Sequence, residues 1–278
     1  MSQDPPPRPP HRAPLAFAID LWQQRELLWQ FTLRNVELRH KGSHLGLVWS
    51  LLNPLLMLGL YVVVLGYIFG GHYDVIPNET KLDYGLGIFL SLTLFHFLAE
   101  ILGVSPTTII SNPNFVKKVV FPLEILPAST VGGALFHLLI SLGLVLASLL
   151  LFGRGLPVST LWLPVIILPL ILFGLGISWL LSALGVFFRD INQITAFLSV
   201  ALMWASGVFF TAQKHPAAWP YVRFNPLLLA IDLARDAALW ARPINYHHLG
   251  YLYVAGLLTC ILGYLAFQKM KPAFADVL

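Results

Sequence analysis

The residues best suited to recognising another molecule lie in the segment 111–124, where aromatic and basic side chains stand between prolines. Asn112 can cap a helix and Pro113 can begin one, whereas Pro122 would end it. The other members of this segment that could take part are Asn114, Phe115, Val116, Lys117, Lys118 and Phe121. A short rigid helix of this kind is suited to docking, although a positively charged surface loop would have the same composition.

Titratable side chains inside long apolar runs form a second candidate set, and they are His96, Glu100 and His137. A charge placed in such surroundings is a functional hypothesis, because burying it costs free energy. Glu100 lies near the end of its run and could reach an aqueous boundary or Lys117. No ladder of acidic or basic residues crosses the apolar runs, which disfavours an ion-coupled transporter and a channel with charged rings.

Motifs that bind nucleotides or metals, or that hydrolyse substrates, are missing from the sequence. GxxxxGK[ST], HExxH, paired CxxC and GxSxG do not occur. The histidines are scattered or form the His247–His248 pair, without Cys or carboxylate partners at metal spacing. We therefore predict no catalytic residue, no metal site and no cofactor in this chain.

Aromatic residues in the apolar runs could line a path for carbohydrate, because pyranose rings stack their C–H faces on aromatic rings. The candidates are Tyr61, Tyr67, Phe69, Trp179, Trp204, Phe209 and Phe210. Trp and Tyr also concentrate at membrane interfaces, so the same residues could form aromatic belts or face lipid. The residue types alone leave both interpretations open.

The composition indicates whether these residues belong to a water-soluble protein or to a membrane protein. The chain has 278 residues, of which 57% are hydrophobic and 11% charged, and its mean hydropathy is +0.75. A soluble domain has about 25% charged residues, so we predict an all-α integral membrane protein. The net charge of +4 is too small for a nucleic-acid binder, and the single cysteine excludes an intrachain disulfide.

Six apolar segments are long enough to span a bilayer, for which about 20 residues are needed. We predict these spans at 46–70, 84–104, 126–152, 161–187, 193–211 and 249–267. With both termini in the cytoplasm, the positive-inside rule is satisfied by eleven inner Lys and Arg residues against two in the short outer loops. The inner residues are Arg8, Arg12, Arg25, Arg34, Arg39, Lys41, Lys117, Lys118, Arg189, Lys269 and Lys271, and those of the short outer loops are Lys81 and Arg154. The longer outer segment 212–248 holds Lys214, Arg223, Arg235 and Arg242, which dilute the bias without reversing it.

The predicted transmembrane domain occupies 42–278, and two further segments precede it. Residues 1–14 are rich in Pro, so we expect an extended, unpacked tail. Residues 15–41 are predicted to form one amphipathic helix in the cytoplasmic interface. Its apolar stripe consists of Leu15, Ala18, Trp22, Trp29, Leu33 and Val36. This helix could be a simple membrane anchor, or it could also contact a cytosolic partner.

The segment 211–246 is predicted to form re-entrant or interfacial helices on the outer side. Asn225 and Pro226 indicate an N-cap and a first helical residue, and Asp232 with Arg235 forms an i,i+3 pair. Its charges make it unsuitable as a span. It could be an ordinary surface helix or a gate over an exit.

Five motifs, in order along residues 15–270, together resemble one known family. They are 45–55 (LGLVWSLLNPL), 112–118 (NPNFVKK), 121–124 (FPLE), Phe188–Arg189–Asp190, and Asn225–Pro226–Leu227 followed by Asp232 and Arg235. On these motifs the sequence resembles the permease subunit of bacterial polysaccharide ABC exporters, which are type-2 ABC transporters. Within that family it is most similar to the O-antigen (lipopolysaccharide) exporters, with capsule and teichoic-acid exporters close behind.

The resemblance implies a homodimer in the bacterial inner membrane, with a channel between the two copies and one cytosolic ATPase docked on each. ATP and Mg²⁺ would be bound by that ATPase. The cargo would be a polysaccharide linked to undecaprenyl diphosphate. Segment 111–124 would be the coupling helix seated in the ATPase, 15–41 would lie near the point where the glycolipid enters, and 215–240 would be the outer gate.

Basic residues near the inner surface could then contact the diphosphate by charge-assisted hydrogen bonds. The candidates by position are Arg34, Arg39 and Lys41. The alternatives are a capsule or teichoic-acid exporter, a drug or small-lipid ABC exporter, and a membrane-embedded transferase. A transferase would need carboxylates or histidines clustered at one membrane face, and the sequence indicates no such cluster.

Overall fold

The computed structural model describes residues 16–40, 48–117, 121–211 and 219–278, and the regular structure in these residues is helical. The α-helices are α1 (Ala16–Gln23), α2 (Arg25–His40), α3 (Trp49–Tyr61), α4 (Lys81–Val104), α5 (Pro113–Lys117), α6 (Ile125–Phe152), α7 (Leu163–Phe187), α8 (Ile191–Ala205), α9 (Trp219–Val222), α10 (Pro226–Ala238), α11 (Tyr246–Met270) and α12 (Phe274–Val277). We call the end of the bundle that carries α5 the inner end and the opposite end the outer end. The all-α fold predicted from the sequence is confirmed.

Among the described residues, five helices, with their π and 3₁₀ extensions, are long and apolar enough to cross a membrane. They run over Leu51–Ile68, Lys81–Thr107, Ile125–Phe152, Val158–Phe187 and Tyr246–Val277. The fifth of the six predicted spans, 193–211, is wrong in its length, because α8 has 15 residues. Fifteen residues cover about 22 Å, whereas the hydrocarbon core is about 30 Å thick. The chain leaves α8 at Ser206 and turns at Gly207, whose φ of +65° suits glycine.

Polar caps set the first residues of three helices. At the start of α4, Thr80 Oγ1 accepts from the backbone N–H of Asp83, and the Asp83 carboxylate accepts from that of Thr80. Asn225 Oδ1 accepts from the N–H of Leu227 at 3.0 Å and starts α10, as its position before Pro predicts. Asn245 caps α11 in the same way. These caps satisfy N–H groups that have no partner within the helix.

The helices differ greatly in how much of their surface the rest of the chain covers. Of the α4 span, 72% is buried within the chain, where α4 packs against α6, α8 and α10. Only 6% of the α3 span is buried. The α4 helix is therefore the central element of the fold, and most apolar side chains of α3 point away from it.

The helices α7 and α11 pack with their backbones in contact. A Cβ atom added at Gly176 would overlap the carbonyl oxygen of Thr259, and one added at Gly263 would overlap that of Gly176. A Cβ atom at Gly256 would meet the carbonyl oxygen of Pro169. Small residues let membrane helices approach in this way, so glycine is required at these contacts.

The N-terminal amphipathic segment forms two helices, α1 and α2, instead of the single helix predicted over 15–41, because the chain breaks at Gln24. Most of the predicted apolar stripe faces away from the bundle, with Trp22 72% and Trp29 61% exposed. Outward tryptophans are expected of a segment that lies against a membrane interface. Leu15 lies outside the described residues, and among the other residues of the stripe Val36 is the buried one.

The helix α2 docks along the inner half of α6. Asn35 Nδ2 donates to Ser129 Oγ at 3.0 Å, and Thr32 lies directly over Gly132. A side chain at position 132 would separate the two helices, so this glycine sets how close α2 comes to α6.

Replacing Gly132 with Ala should loosen α2 from α6, because the added methyl group would overlap Thr32 Oγ1. Overpacking of this kind lowers the free energy of unfolding by about 1–3 kcal/mol, which thermal unfolding of the purified protein in detergent would report as a lower Tm. Gly143, in the same helix, has nothing within 4 Å of an added Cβ. Gly143→Ala is therefore the matched control and should not lower Tm. Equal Tm values for the two variants would contradict the docking.

Candidate functional site

A cavity of about 920 Å³ lies between α2, α3, α4 and α6. Its polar wall contains Asn35, Arg39, His96, Glu100 and His137. Its apolar wall contains Trp49, Met57, Tyr61, Phe89 and Leu92. The cavity is thus lined by charged groups together with apolar and aromatic surface.

Glu100 is the centre of a charge cluster in this cavity. Its Oε1 atom lies 2.5 Å from a guanidinium nitrogen of Arg39 and 3.0 Å from Nδ1 of His137. Arg39 can only donate, and its guanidinium nitrogen also lies 3.1 Å from His137 Nδ1, so the tautomer of His137 sets whether Nδ1 donates to Glu100 or accepts from Arg39. The side chains of Glu100 and His137 are 17% exposed, whereas that of Arg39 is 53% exposed. Of the three groups, Arg39 is therefore the one most open to a molecule in the cavity.

The sequence indicates each member of this cluster separately, and the structure brings them together. Arg39 is a predicted headgroup contact, while His96, Glu100 and His137 are the predicted titratable groups in apolar runs. Glu100 pairs with Arg39 rather than with Lys117. The sequence indicates no cluster of carboxylates or histidines. This expectation is wrong, because Glu100 and His137 lie within hydrogen-bonding distance of each other. Only the docking of α2 on α6 shows that these groups meet.

The other two predicted headgroup contacts lie elsewhere. The guanidinium carbon of Arg34 is 5.6 Å from the centre of the Phe31 ring, and Arg34 is exposed. Lys41 lies outside the described residues. Arg39 is therefore the candidate whose place in the cavity the structure describes.

The predicted coupling segment forms the short helix α5 at the inner end. Its exposed residues are Pro113, Asn114 and Lys117, while Lys118 lies outside the described residues. The side chain of Asn112 donates to the carbonyl of Thr108 at 2.9 Å. This bond ties the start of α5 to the turns that follow α4, so a movement of α5 reaches the central helix.

Three phenylalanines connect the coupling segment to α2. The ring of Phe31 in α2 lies 5.5 Å from that of Phe115 and 5.3 Å from that of Phe121, and the latter two rings are 4.6 Å apart. Phe115 and Phe121 are half-buried by this packing, as is Val116. Phe31 and Arg39 belong to the same helix and lie about 12 Å apart along it. The helix α2 thus touches the coupling segment at one point and lines the cavity at another.

The C-terminal residues also brace the coupling segment. Lys271 Nζ lies 2.6 Å from Glu124 Oε2, and the backbone carbonyl of Glu124 accepts from Trp179 Nε1 at 3.0 Å. Phe274 is completely buried and packs on Phe267, while its helix α12 contacts α5. No pattern in the sequence indicates this contact, because it depends on where the last turns of α11 end.

Trp179, a predicted member of the carbohydrate path, is instead a core residue. Its side chain is completely buried, with the ring of Phe17 at 6.0 Å and that of Tyr264 at 5.1 Å. A molecule outside this chain cannot touch it, so its assignment to a conduit surface is wrong.

The other predicted path aromatics fall into two groups. Tyr67, Phe69 and Trp204 are 71%, 74% and 61% exposed, on the extension of α3 and on α8. Tyr61, which lines the cavity, and Phe209 and Phe210, which follow α8, are half-buried. The rings of Tyr67, Phe69 and Trp204 are therefore exposed on the surface of the chain.

Arg235, a predicted gate residue, is fully buried in a network of acceptors. Its guanidinium donates to Ser91 Oγ and to Tyr73 Oη, both at 2.8 Å. The remaining acceptors are the backbone carbonyls of Gly207, Val208 and Phe210. The Tyr73 ring centre is 4.3 Å from the guanidinium carbon, and Asp232 adds an ion pair at 3.7 Å. Arg235 thereby joins α10, α4, the outer loop before α4 and the turn after α8.

The predicted outer gate is attached to the bundle along α10. Asn225 Nδ2 donates to the carbonyl of Ala205 at 3.1 Å, so α10 begins beside the end of α8, and Pro226 is its first residue. Burial raises the pKa of the Tyr73 hydroxyl well above its usual range, which keeps this partner of Arg235 neutral. The first arm, 215–223, lies partly outside the described residues, and its described part, α9, exposes Tyr221.

Comparison with known proteins gives a family for this architecture. Residues 26–239 match the ABC-2 type transporter family. The chain is 28% identical over 255 residues to an O-antigen export system permease protein RfbA of Klebsiella pneumoniae, covering 91% of this chain and 95% of that protein. A protein of the same name from Myxococcus xanthus is 27% identical over 212 residues, which are 75% of this chain and 78% of that protein.

A third relative is the polysialic acid transport protein KpsM of Escherichia coli, which is 24% identical over 246 residues, or 87% of this chain and 92% of that protein. The family match covers most of the chain, so this protein belongs to the ABC-2 type transporter family. It is a multi-pass membrane protein, and the family resemblance noted in its sequence motifs is confirmed.

Replacing Trp179 with Ala should destabilise the fold, because truncating a buried Trp costs about 3–5 kcal/mol. The expected result is a clearly lower Tm for the purified protein. Trp204→Ala is the matched control, since its side chain is exposed and surface substitutions change stability by about 0.5 kcal/mol or less. A Tm for Trp179→Ala as high as that of Trp204→Ala would show that Trp179 is not part of the core.

Proposed function

We propose that this chain is the permease of an ATP-driven exporter that moves polysaccharide of the O-antigen type across the bacterial inner membrane. The observation that carries the proposal is the similarity to O-antigen export permeases, which extends over nearly the whole length of both chains. The polysaccharide is linked to undecaprenyl diphosphate. This chain supplies the membrane part, and a separate cytosolic ATPase binds ATP and Mg²⁺.

The channel forms between two copies of the chain. Support comes from α3 and α8, which carry long apolar faces that one copy leaves uncovered. On α8 these exposed side chains include Ile194, Phe197 and Trp204. Together with Tyr67 and Phe69, Trp204 offers aromatic rings on which the sugar rings of the polymer stack.

The cytosolic ATPase docks on α5. Pro113, Asn114 and Lys117 are exposed there and form the contact surface. The half-buried Phe115 passes a displacement of α5 to α2 through Phe31. Because the C-terminal helix α12 also contacts α5, the docking surface is supported from two elements and is rigid enough to transmit force.

Lys117→Asp should uncouple ATP hydrolysis from export, because it reverses the charge at the docking surface while the exposed position leaves the fold intact. We expect surface polysaccharide to fall about tenfold, the effect of roughly 1.4 kcal/mol lost from the contact. Immunoblotting of surface polysaccharide and co-purification of the ATPase would measure it. Lys269→Asp, at another exposed lysine of the inner end, is the control and should export normally. Normal export by Lys117→Asp would remove α5 from the docking surface.

The inner end faces the cytoplasm, together with both termini. The charge count supports this orientation, because Lys and Arg concentrate in the predicted inner segments. The packing agrees, since Phe17 of α1 contacts Tyr264 near the end of α11, and α12 contacts α5. The first and last described helices therefore lie at the same end of the bundle.

Cysteine labelling tests this orientation, because the single cysteine, Cys260, is fully buried and gives little background. Tyr221→Cys introduces a thiol at an outer position that is 86% exposed, and it should react with a membrane-impermeant maleimide on intact spheroplasts. Asn114→Cys, in α5, should react only in inverted vesicles. The opposite pattern would place α5 outside the cytoplasm.

A capsule polysaccharide is the second candidate cargo, favoured by the similarity to the polysialic acid transport protein KpsM. A drug or small-lipid exporter is disfavoured, because the relatives that cover most of the chain are named for polysaccharide transport. A transferase is also disfavoured. In the described part of the chain, Glu100 and His137 could serve such chemistry, but Arg39 holds the Glu100 carboxylate in an ion pair.

A further inference from the structure

The cavity between α2, α3, α4 and α6 has the chemistry of a site for an anion with an apolar tail. Arg39 places N–H donors in the lining of the cavity, beside the His137 ring. Much of the remaining lining is apolar, and Leu38 and Met57, which belong to it, are themselves 50% and 43% exposed. The apolar part of the cavity is therefore continuous with the exposed surface of α2 and α3. A molecule with an anionic head and a hydrocarbon tail would bury both parts there.

In the structure, Glu100 occupies the donors that such an anion would need. Its Oε1 atom lies 2.5 Å from an Arg39 guanidinium nitrogen and 3.0 Å from His137 Nδ1. The charges of Arg39 and Glu100 have opposite sign, and the other polar side chains that line the cavity, besides His137, include Asn35, Asn53, Thr93, His96, Thr130 and Ser141. An anionic headgroup would bind to Arg39 and His137 only by displacing the Glu100 carboxylate.

We propose that this cavity binds the diphosphate end of the lipid-linked cargo, and that Glu100 is an internal competing anion that the diphosphate displaces from Arg39 and His137. The identity of the ligand rests on the proposed function. The competition rests on the geometry of the three side chains alone.

A competing carboxylate suits a site that has to release what it binds. Binding along a transport path must be strong enough to load the cargo and weak enough to let it leave. When the diphosphate departs, Glu100 pairs again with Arg39 and His137, so these two groups keep a partner in both states. Displacing Glu100 also acts on α2, which reaches the coupling segment through Phe31.

The test measures binding of undecaprenyl diphosphate to the purified full-length chain in nanodiscs. Glu100→Gln keeps the shape of the side chain but removes its charge, so we expect about tenfold tighter binding. Glu100→Ala should also tighten binding, so the result does not depend on one variant. Arg39→Gln should weaken binding about tenfold. Glu37→Gln removes an exposed carboxylate from α2 and should bind as the unmodified chain does.

Two further arms examine the mechanism and the ligand class. In the background of Arg39→Gln, the added Glu100→Gln change should tighten binding much less, because most of the competition is for Arg39. Inorganic diphosphate and undecaprenol should each bind at least about tenfold more weakly than undecaprenyl diphosphate, because each fills one part of the cavity only.

The outcomes separate this proposal from the exporter function. If both Glu100 variants bind no more tightly while Arg39→Gln still weakens binding, the competition is overturned and the headgroup site stands. If Arg39→Gln binds unchanged, the site itself is overturned. Equally tight binding of inorganic diphosphate or of undecaprenol would overturn the ligand class. The exporter function fails on a different observation, namely normal surface polysaccharide in cells that lack the chain.

Discussion

A charge held inside a bundle of apolar helices has to be surrounded by acceptors, and Arg235 is where this constraint shapes the fold. Its partner Ser91 lies ten residues into α4, about 15 Å from the start of that helix. Leaving such a charge without partners would cost several kcal/mol. The outer loop, the turn after α8 and α10 therefore have to meet at one point, and this meeting gives the outer half of the bundle its arrangement.

The central helix α4 carries both polar centres of the molecule. Ser91 accepts from Arg235 on the outer side, and Glu100, about 14 Å further along the same helix, accepts from Arg39 and lies 3.0 Å from His137 Nδ1. The inner centre belongs to a cavity, whereas the outer one is closed by backbone carbonyls. The same need to pair a charge thus produces a fully packed cluster around Arg235 at the outer end and a cluster that lines a cavity around Glu100 nearer the inner end.

Composition and local pattern predicted the membrane class, the approximate spans, the cap at Asn225 and the short helix α5, because each depends on neighbouring residues. The cluster of Arg39, Glu100 and His137 was not predicted as a unit, because its members are far apart in the sequence. Glu100 and His137 are separated by 37 positions, and Arg39 and His137 by 98. Nor could sequence distinguish the buried Trp179 from the exposed Trp204, as both lie in apolar runs. The apolar run also continues past the true end of α8 at Ala205.

The glycine contacts between α7 and α11 have a consequence for how the molecule can move. Where carbonyl oxygens lie directly against Gly176 and Gly263, no flexible side chains separate the helices to permit shear. The pair therefore behaves as a single rigid body that also carries the C-terminal turns. Any relative displacement within the chain would then fall to the loosely covered helices α3 and α8, with the α7–α11 pair as the stationary frame.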